Sequence, residues 1–194
     1  MPLWGATDSD ESKPKNLTTA QKKQVFANAS GWVLEAGSAL SGNDNTDADP
    51  EILVAIGELS TSIGAADITE VEMVTTTADK SEGFTISVRV RYNEPVDVVT
   101  TGGTPTLAVT NDNSGTGSGR GPHSLSYASG TGTNELIFSL AIAAANAATN
   151  ADDVLTVGAQ TIALNSGTIK DASGTASDAA LVISGAVGTA AGSV

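Results

Sequence analysis

The sequence predicts an all-β protein in which a β-sandwich follows an extended N-terminal arm that contains at most one short helix. Short apolar runs separated by Gly, Asn, Ser and Thr fill the chain from residue 51 onward, a pattern typical of sandwiches and barrels. The segment FTISVRVRY at 84–92 alternates apolar and polar residues strictly, as a half-buried strand does. Aromatic residues make up only 4% of the chain, so small aliphatic side chains must fill the core, which suits the thin interior between two sheets.

The predicted boundaries divide the chain into an arm at 1–60, a sandwich at 61–188 and a C-terminal tail at 189–194. Within the arm, Thr18 or Thr19 can cap a helix that runs to about Asn28, although a helix of this length is too short to persist alone. The Gly/Asn/Asp/Pro cluster at 41–50 indicates an exposed loop. The continuous apolar run ILVAIGEL at 52–59 indicates a buried strand or a segment held between partners.

The strands of the sandwich are predicted one by one from apolar runs bounded by turn residues. The strand at 84–92 is predicted to stop at Asn93, Glu94 and Pro95. The stretch 141–153 has helical composition and is interpreted as a strand end followed by a loop or a single helical turn. The other predicted strands lie at 68–75, 96–99, 105–110, 123–128, 134–140, 154–157, 161–164, 168–170 and 180–184.

The charge of the chain argues against binding to nucleic acid, because 22 acidic and 9 basic residues give a formal net charge of −13. The lysines at 13, 15, 22 and 23 are interleaved with polar residues, and they form either a solvated face or a site that docks onto an acidic partner. The absence of cysteine excludes disulfides and thiolate metal sites. No apolar run approaches the length of a membrane span, and the N-terminus lacks the apolar region of a secretory signal, so we expect neither a membrane anchor nor Sec export.

The side chains that could act in catalysis or bind a metal do not form a recognisable catalytic pattern. His123 is the one histidine, no G-x-S-x-G element presents a serine, and we expect His123 at a surface turn or a strand start. The oxygen-rich segment 43–51 fails as an EF-hand, so a solvated acidic loop is preferred to a loose cation site. The glycine-rich segment 111–121 lacks the G-K-[ST] ending of a phosphate-binding loop and is predicted to be a hairpin loop. The sequence therefore predicts no enzyme, no metal site and no cofactor.

From about residue 75 to 186 the chain resembles bacterial immunoglobulin-like domains of the kind repeated in surface adhesins. Three stretches carry the resemblance: VRYNEPVDVVTTGGTPTLAVTND, YASGTGTNELIFSL and LTVGAQTIALNSGTIKDASGTAS. The positions that match the family pattern are Glu94, Pro95, Pro105, Leu107, Tyr127, Gly130, Gly132, Leu136, Phe138, Ile169, Asp171 and Gly174. The resemblance implies an Ig-like sandwich.

The first 60 residues are similar to the N-terminal region of short virion proteins of marine and cyanobacterial tailed phages. The similarity rests on Leu3-Trp4-Gly5, Gly31-Trp32-Val33 and the run Leu53-Val54-Ala55-Ile56. It implies a capsid decoration, or cement, protein on the outer surface of the virion. Its implied partners are the major capsid protein and other copies of itself, as a dimer or trimer. A neck or tail position stays open, and so does an adhesin or fibre module that binds cell-surface glycans.

Large apolar residues scattered in the polar arm are the predicted partner-binding residues. Both tryptophans of the chain lie in this arm, and they either pack against the chain's own sandwich or fill pockets of another protein. The predicted anchors are Leu3, Trp4, Leu17, Phe26, Trp32 and Val33.

Overall fold

A computed structural model describes residues 14, 16–113, 122–146, 149, 153–172, 178–184 and 190–193. The described chain is nearly all β and its sheets are antiparallel, as the sequence predicts for a β-sandwich. It contains one four-residue helix, α1 (Thr19–Lys22), and one 3₁₀ turn, Leu59–Thr61. The strands are β1 (Val25–Asn28), β2 (Gly31–Leu34), β3 (Glu51–Ala55), β4 (Ile68–Met73), β5 (Phe84–Val99), β6 (Thr106–Asn113), β7 (His123–Ser129), β8 (Thr133–Ile142), β9 (Asp153–Val157), β10 (Gln160–Thr161), β11 (Thr168–Asp171), β12 (Val182–Ile183) and β13 (Ala190–Ser193).

An eight-stranded sheet in the order β11-β5-β8-β7-β6-β9-β13, with β4 also paired to β5, holds the main core. The alternation predicted for 84–92 is confirmed, because Ile86, Val88, Val90 and Tyr92 are buried while the residues between them are only partly so. The predicted strand end near residue 141 is confirmed, because β8 runs to Ile142. β13 pairs with β9, so the sheet continues into the range that the sequence assigns to a tail.

β5 does not stop at the Asn93-Glu94-Pro95 break, and the prediction of two separate strands is wrong. The strand continues through a bulge in its pairing with β8, between Arg91 and Val96. Asn93 is fully buried there, where its backbone N–H donates to the carbonyl of Asp67 and its Oδ1 accepts the Asp67 N–H at 2.7 Å. The proline is tolerated because a bulge leaves its position outside the regular ladder.

The region predicted as an extended arm folds, over residues 25–55, into a separate three-stranded sheet in the order β1-β2-β3. Thr18 caps α1 as predicted, with a reciprocal bond between Thr18 and Gln21, but the helix ends at Lys22 and residues 25–28 are a strand. The small sheet has its own core, which is distinct from that of the large sheet and consists of Val25, Ala27, Trp32, Leu34 and Leu59. The first described residues are therefore a folded unit, which we call the small sheet unit (residues 16–63).

Candidate functional site

The structure places the six predicted anchors in three different situations. Leu3 and Trp4 lie outside the described residues, so their anchoring role stays a prediction. Leu17 and Phe26 are half-buried against neighbouring residues. Trp32 and Val33 lie in β2, which is buried along its whole length, with Trp32 at 0% exposure. Neither Trp32 nor Val33 offers its side chain to a partner in this structure, and Trp32 instead packs in the core of the small sheet unit.

The apolar surface that the unit does present lies on its edge strand, β3. Ile52 is 58% exposed and Leu53 is 40% exposed, which contradicts a buried strand here and leaves the alternative of a segment held between partners as a prediction. Trp32 pairs with Val54, and Val33 pairs with Ile52. Leu53, which lies between these two pairs, is therefore the extra residue of a β-bulge and has no pairing partner on β2. Such a bulge interrupts the alternation of a strand, and two consecutive apolar side chains become exposed together.

This surface is continuous with two of the predicted anchors. Phe26 of β1 pairs with Val33 of β2, and Val33 pairs with Ile52 of β3, so the three residues form one row across the sheet. The row runs from a half-buried residue through a buried one to an exposed one. Of these three residues Ile52 is the accessible one, and the anchoring role of Phe26 and Val33 stays a prediction.

An ionic cluster joins the small sheet unit to the large sheet, where β1 also packs against β5. Glu35, just after β2, lies with its Oε2 3.2 Å from Nη1 of Arg91 on β5. The same guanidinium contacts Glu70 of β4 at 3.0 Å and Glu135 of β8 at 2.5 Å. A second ion pair joins Lys23 Nζ to Glu70 at 3.4 Å. Arg91 is only slightly exposed, so its three ion pairs are partly shielded from bulk water.

The two carboxyl groups that meet at Arg91 have pKa values displaced in opposite directions. Burial, and then a side-chain hydrogen bond with Glu135, raises the pKa of Glu35 to about 7. The pKa of Glu135 is lowered despite burial, through its hydrogen bond with Glu35 and the charge of Arg91. Glu35 thus titrates near neutral pH, and in its protonated form it donates a hydrogen bond to the Glu135 carboxylate.

A cleft of about 660 Å³ opens beside this pair. Its walls come from both units: Glu35, Gly37 and Thr46 on the small sheet side, and Arg89 and Asn134 on the other. Water reaches the Glu35–Glu135 pair through this opening. The two carboxyls are hydrogen-bonded to each other and paired with Arg91.

His123 begins β7 as predicted, but it is buried rather than at the surface. Its Nε2 lies 3.0 Å from the Thr149 hydroxyl and 3.3 Å from the Asn111 amide nitrogen. Burial lowers the pKa of His123, and the charge of Asp153 offsets part of this effect. Thr149 is itself buried and lies between β8 and β9, so this contact ties that connecting segment to the start of β7.

In the ranges that the structure covers, no group of three or more His, Asp or Glu side chains could hold a metal ion. Among those same residues, no helix is long and apolar enough to cross a membrane.

The chain matches no protein-family model, no curated protein and no solved structure.

Proposed function

We propose that this protein is a structural virion protein, specifically a capsid decoration protein that binds the shell through its small sheet unit and displays its sandwich outward. The observation that carries the proposal is the exposed apolar pair Ile52 and Leu53 on the bulged edge strand. The family resemblance of the first 60 residues to phage virion proteins supports the choice of the shell as partner.

The position of the pair fits docking to a protein surface. An edge strand with exposed apolar residues promotes unwanted pairing unless it is blunted, and the bulge at Leu53 breaks the regular ladder that a second strand would need. The side chains themselves remain free to enter an apolar pocket on a partner, as central interface residues do. We therefore assign Ile52 and Leu53 as the main contacts with the capsid protein.

The acidity of the chain supports attachment to a lattice of another protein. A net charge of −13 makes free copies repel each other and keeps them soluble. Binding to the assembled shell, and not to free capsid subunits, shifts the equilibrium toward the intact shell. Many copies on one particle make weak individual contacts effective.

Co-sedimentation with shells assembled without this protein tests the proposal. We expect saturable binding of the wild-type chain, and at least a tenfold loss of affinity for the double variant Ile52→Ser, Leu53→Ser, since a tenfold change needs only about 1.4 kcal/mol. Val182→Ser is the matched control, because Val182 is 61% exposed but lies on β12, outside the small sheet unit.

The wild-type chain tests the proposed function, and the double variant tests the proposed contact surface. Failure of the wild-type chain to bind shells at any protein concentration would overturn the virion function. Undiminished binding by the double variant, with unchanged melting temperature, would show that β3 is not the contact.

A further inference from the structure

The joint between the small sheet unit and the large sheet is built around an imbalance of charge. In the described part of the chain, four carboxylates converge on three cations there: Glu35 after β2, Glu70 and Glu72 on β4, and Glu135 on β8, against Lys23 after α1 and Arg89 and Arg91 on β5. With every group ionised the cluster carries one excess negative charge. A single bound proton makes it neutral.

The position of the excess charge is fixed by the geometry. Glu35 is the one carboxylate of the four that belongs to the small sheet unit, and it reaches across to Arg91. Arg91 is already shared with Glu70 and Glu135, so Glu35 is the third carboxylate on one guanidinium. It is also within hydrogen-bond distance of Glu135, where two like charges would repel. A proton on Glu35 removes this repulsion, because the protonated carboxyl donates a hydrogen bond to Glu135.

We propose that the joint is a proton-operated clasp, in which protonated Glu35 holds the small sheet unit against β5 and its ionisation loosens the two units. The raised pKa of Glu35 places this change near neutral pH. The sign follows from linkage: a carboxyl with a raised pKa in the closed form favours that form at low pH, and the preference is lost as pH rises through about 7. The cleft beside the pair gives solvent protons access.

A distance measurement between the two units tests the clasp without any partner protein. The chain has no cysteine, so spin labels can be placed selectively at Ala55→Cys on β3 and Ser124→Cys on β7, both exposed strand positions. Pulsed electron resonance should give one narrow distance distribution at pH 5.5 and a distribution broadened by several ångströms at pH 8.5. A distribution that is equally narrow at both pH values would overturn the proposal.

Variants identify the group responsible. Glu35→Gln mimics the protonated form and should keep the distribution narrow at pH 8.5, whereas Glu58→Gln removes the same charge from an exposed position of the same unit and should leave the wild-type response. Glu135→Gln removes one negative charge, so the cluster is neutral even when Glu35 is ionised. The distance distribution of this variant should therefore also stay narrow at pH 8.5. Broadening at pH 8.5 in both Glu35→Gln and Glu135→Gln would contradict the assignment to this pair. Because these readouts need no shell, their failure leaves the proposed virion function untouched.

Discussion

Trp32 lies directly opposite Val54 in the pairing of β2 with the edge strand β3, and its side chain is completely buried. The largest side chain of the small sheet unit is thus a core residue, and the residue next to its partner, Leu53, is the exposed one. The core residue and the proposed partner contact are therefore different residues of the same strand pair.

Replacing Trp32 tests the core role. Trp32→Ala should lower the free energy of unfolding of the small sheet unit by about 3 to 5 kcal/mol, because it removes a large buried side chain and leaves a cavity. Hydrogen exchange should show lost protection in β1 and β2 and retained protection in β5 and β8. Full protection in β1 and β2 of the variant would mean that Trp32 is not part of a core.

Trp4 should behave in the opposite way if it is an anchor, as the sequence predicts. Trp4→Ala should weaken binding to shells and leave the melting temperature unchanged, since an anchor contributes to the complex and not to the fold. Co-sedimentation and circular dichroism on the same preparation check both parts. A lower melting temperature with normal binding would assign Trp4 to the fold instead.

The turn between β7 and β8 depends on Gly130. Its φ is +112°, and a Cβ at this position would overlap the carbonyl oxygen of Glu135, so Gly130→Ala should destabilise the chain by at least about 2 kcal/mol in urea unfolding. Gly158→Ala is the control, because the space around Gly158 is open, and it should change stability by less than about 1 kcal/mol. Equal effects at the two glycines would refute the turn geometry.

His123 should make stability fall in acid. Its pKa is lowered in the folded state from an ordinary value of 6.5, so below about pH 6.5 the unfolded chain binds more protons and unfolding becomes easier. Glu35 has the opposite effect, because its contribution to stability is lost as pH rises through about 7. The measurement is therefore made in the Glu35→Gln background. Urea unfolding from pH 5 to 8 should show a slope in that background that His123→Gln removes. A slope that survives in His123→Gln would assign it to other groups.

Sequence patterns predicted the large sheet well because its strands are long enough to show their period. The alternation from Phe84 to Tyr92 gives the buried face of β5 directly. The sequence does not predict that β5 is continuous through Asn93, Glu94 and Pro95, because a proline signals a break and only the pairing with β8 and Asp67 shows that these residues belong to one strand.

The small sheet unit could not be predicted for a related reason. β1 and β2 are four residues each, and apolar residues follow one another in both, so the sequence shows no alternation even though the residues of β1 alternate between buried and half-buried. The exposure of Ile52 and Leu53 depends on a bulge that the order of residues does not reveal. The cluster at Arg91 joins Glu35 after β2 to Glu135 on β8, and opposite charges so far apart in a chain have too many possible partners for their pairing to be derived.

Cryo-electron microscopy of purified particles tests the central claim, that this chain decorates a capsid through β3, most directly. We predict density for the chain at regular positions on the outer shell, with Ile52 and Leu53 against the capsid protein and the large sheet outward. Absence of such density from the shell, or density only at the neck, the tail or the fibres, would contradict it.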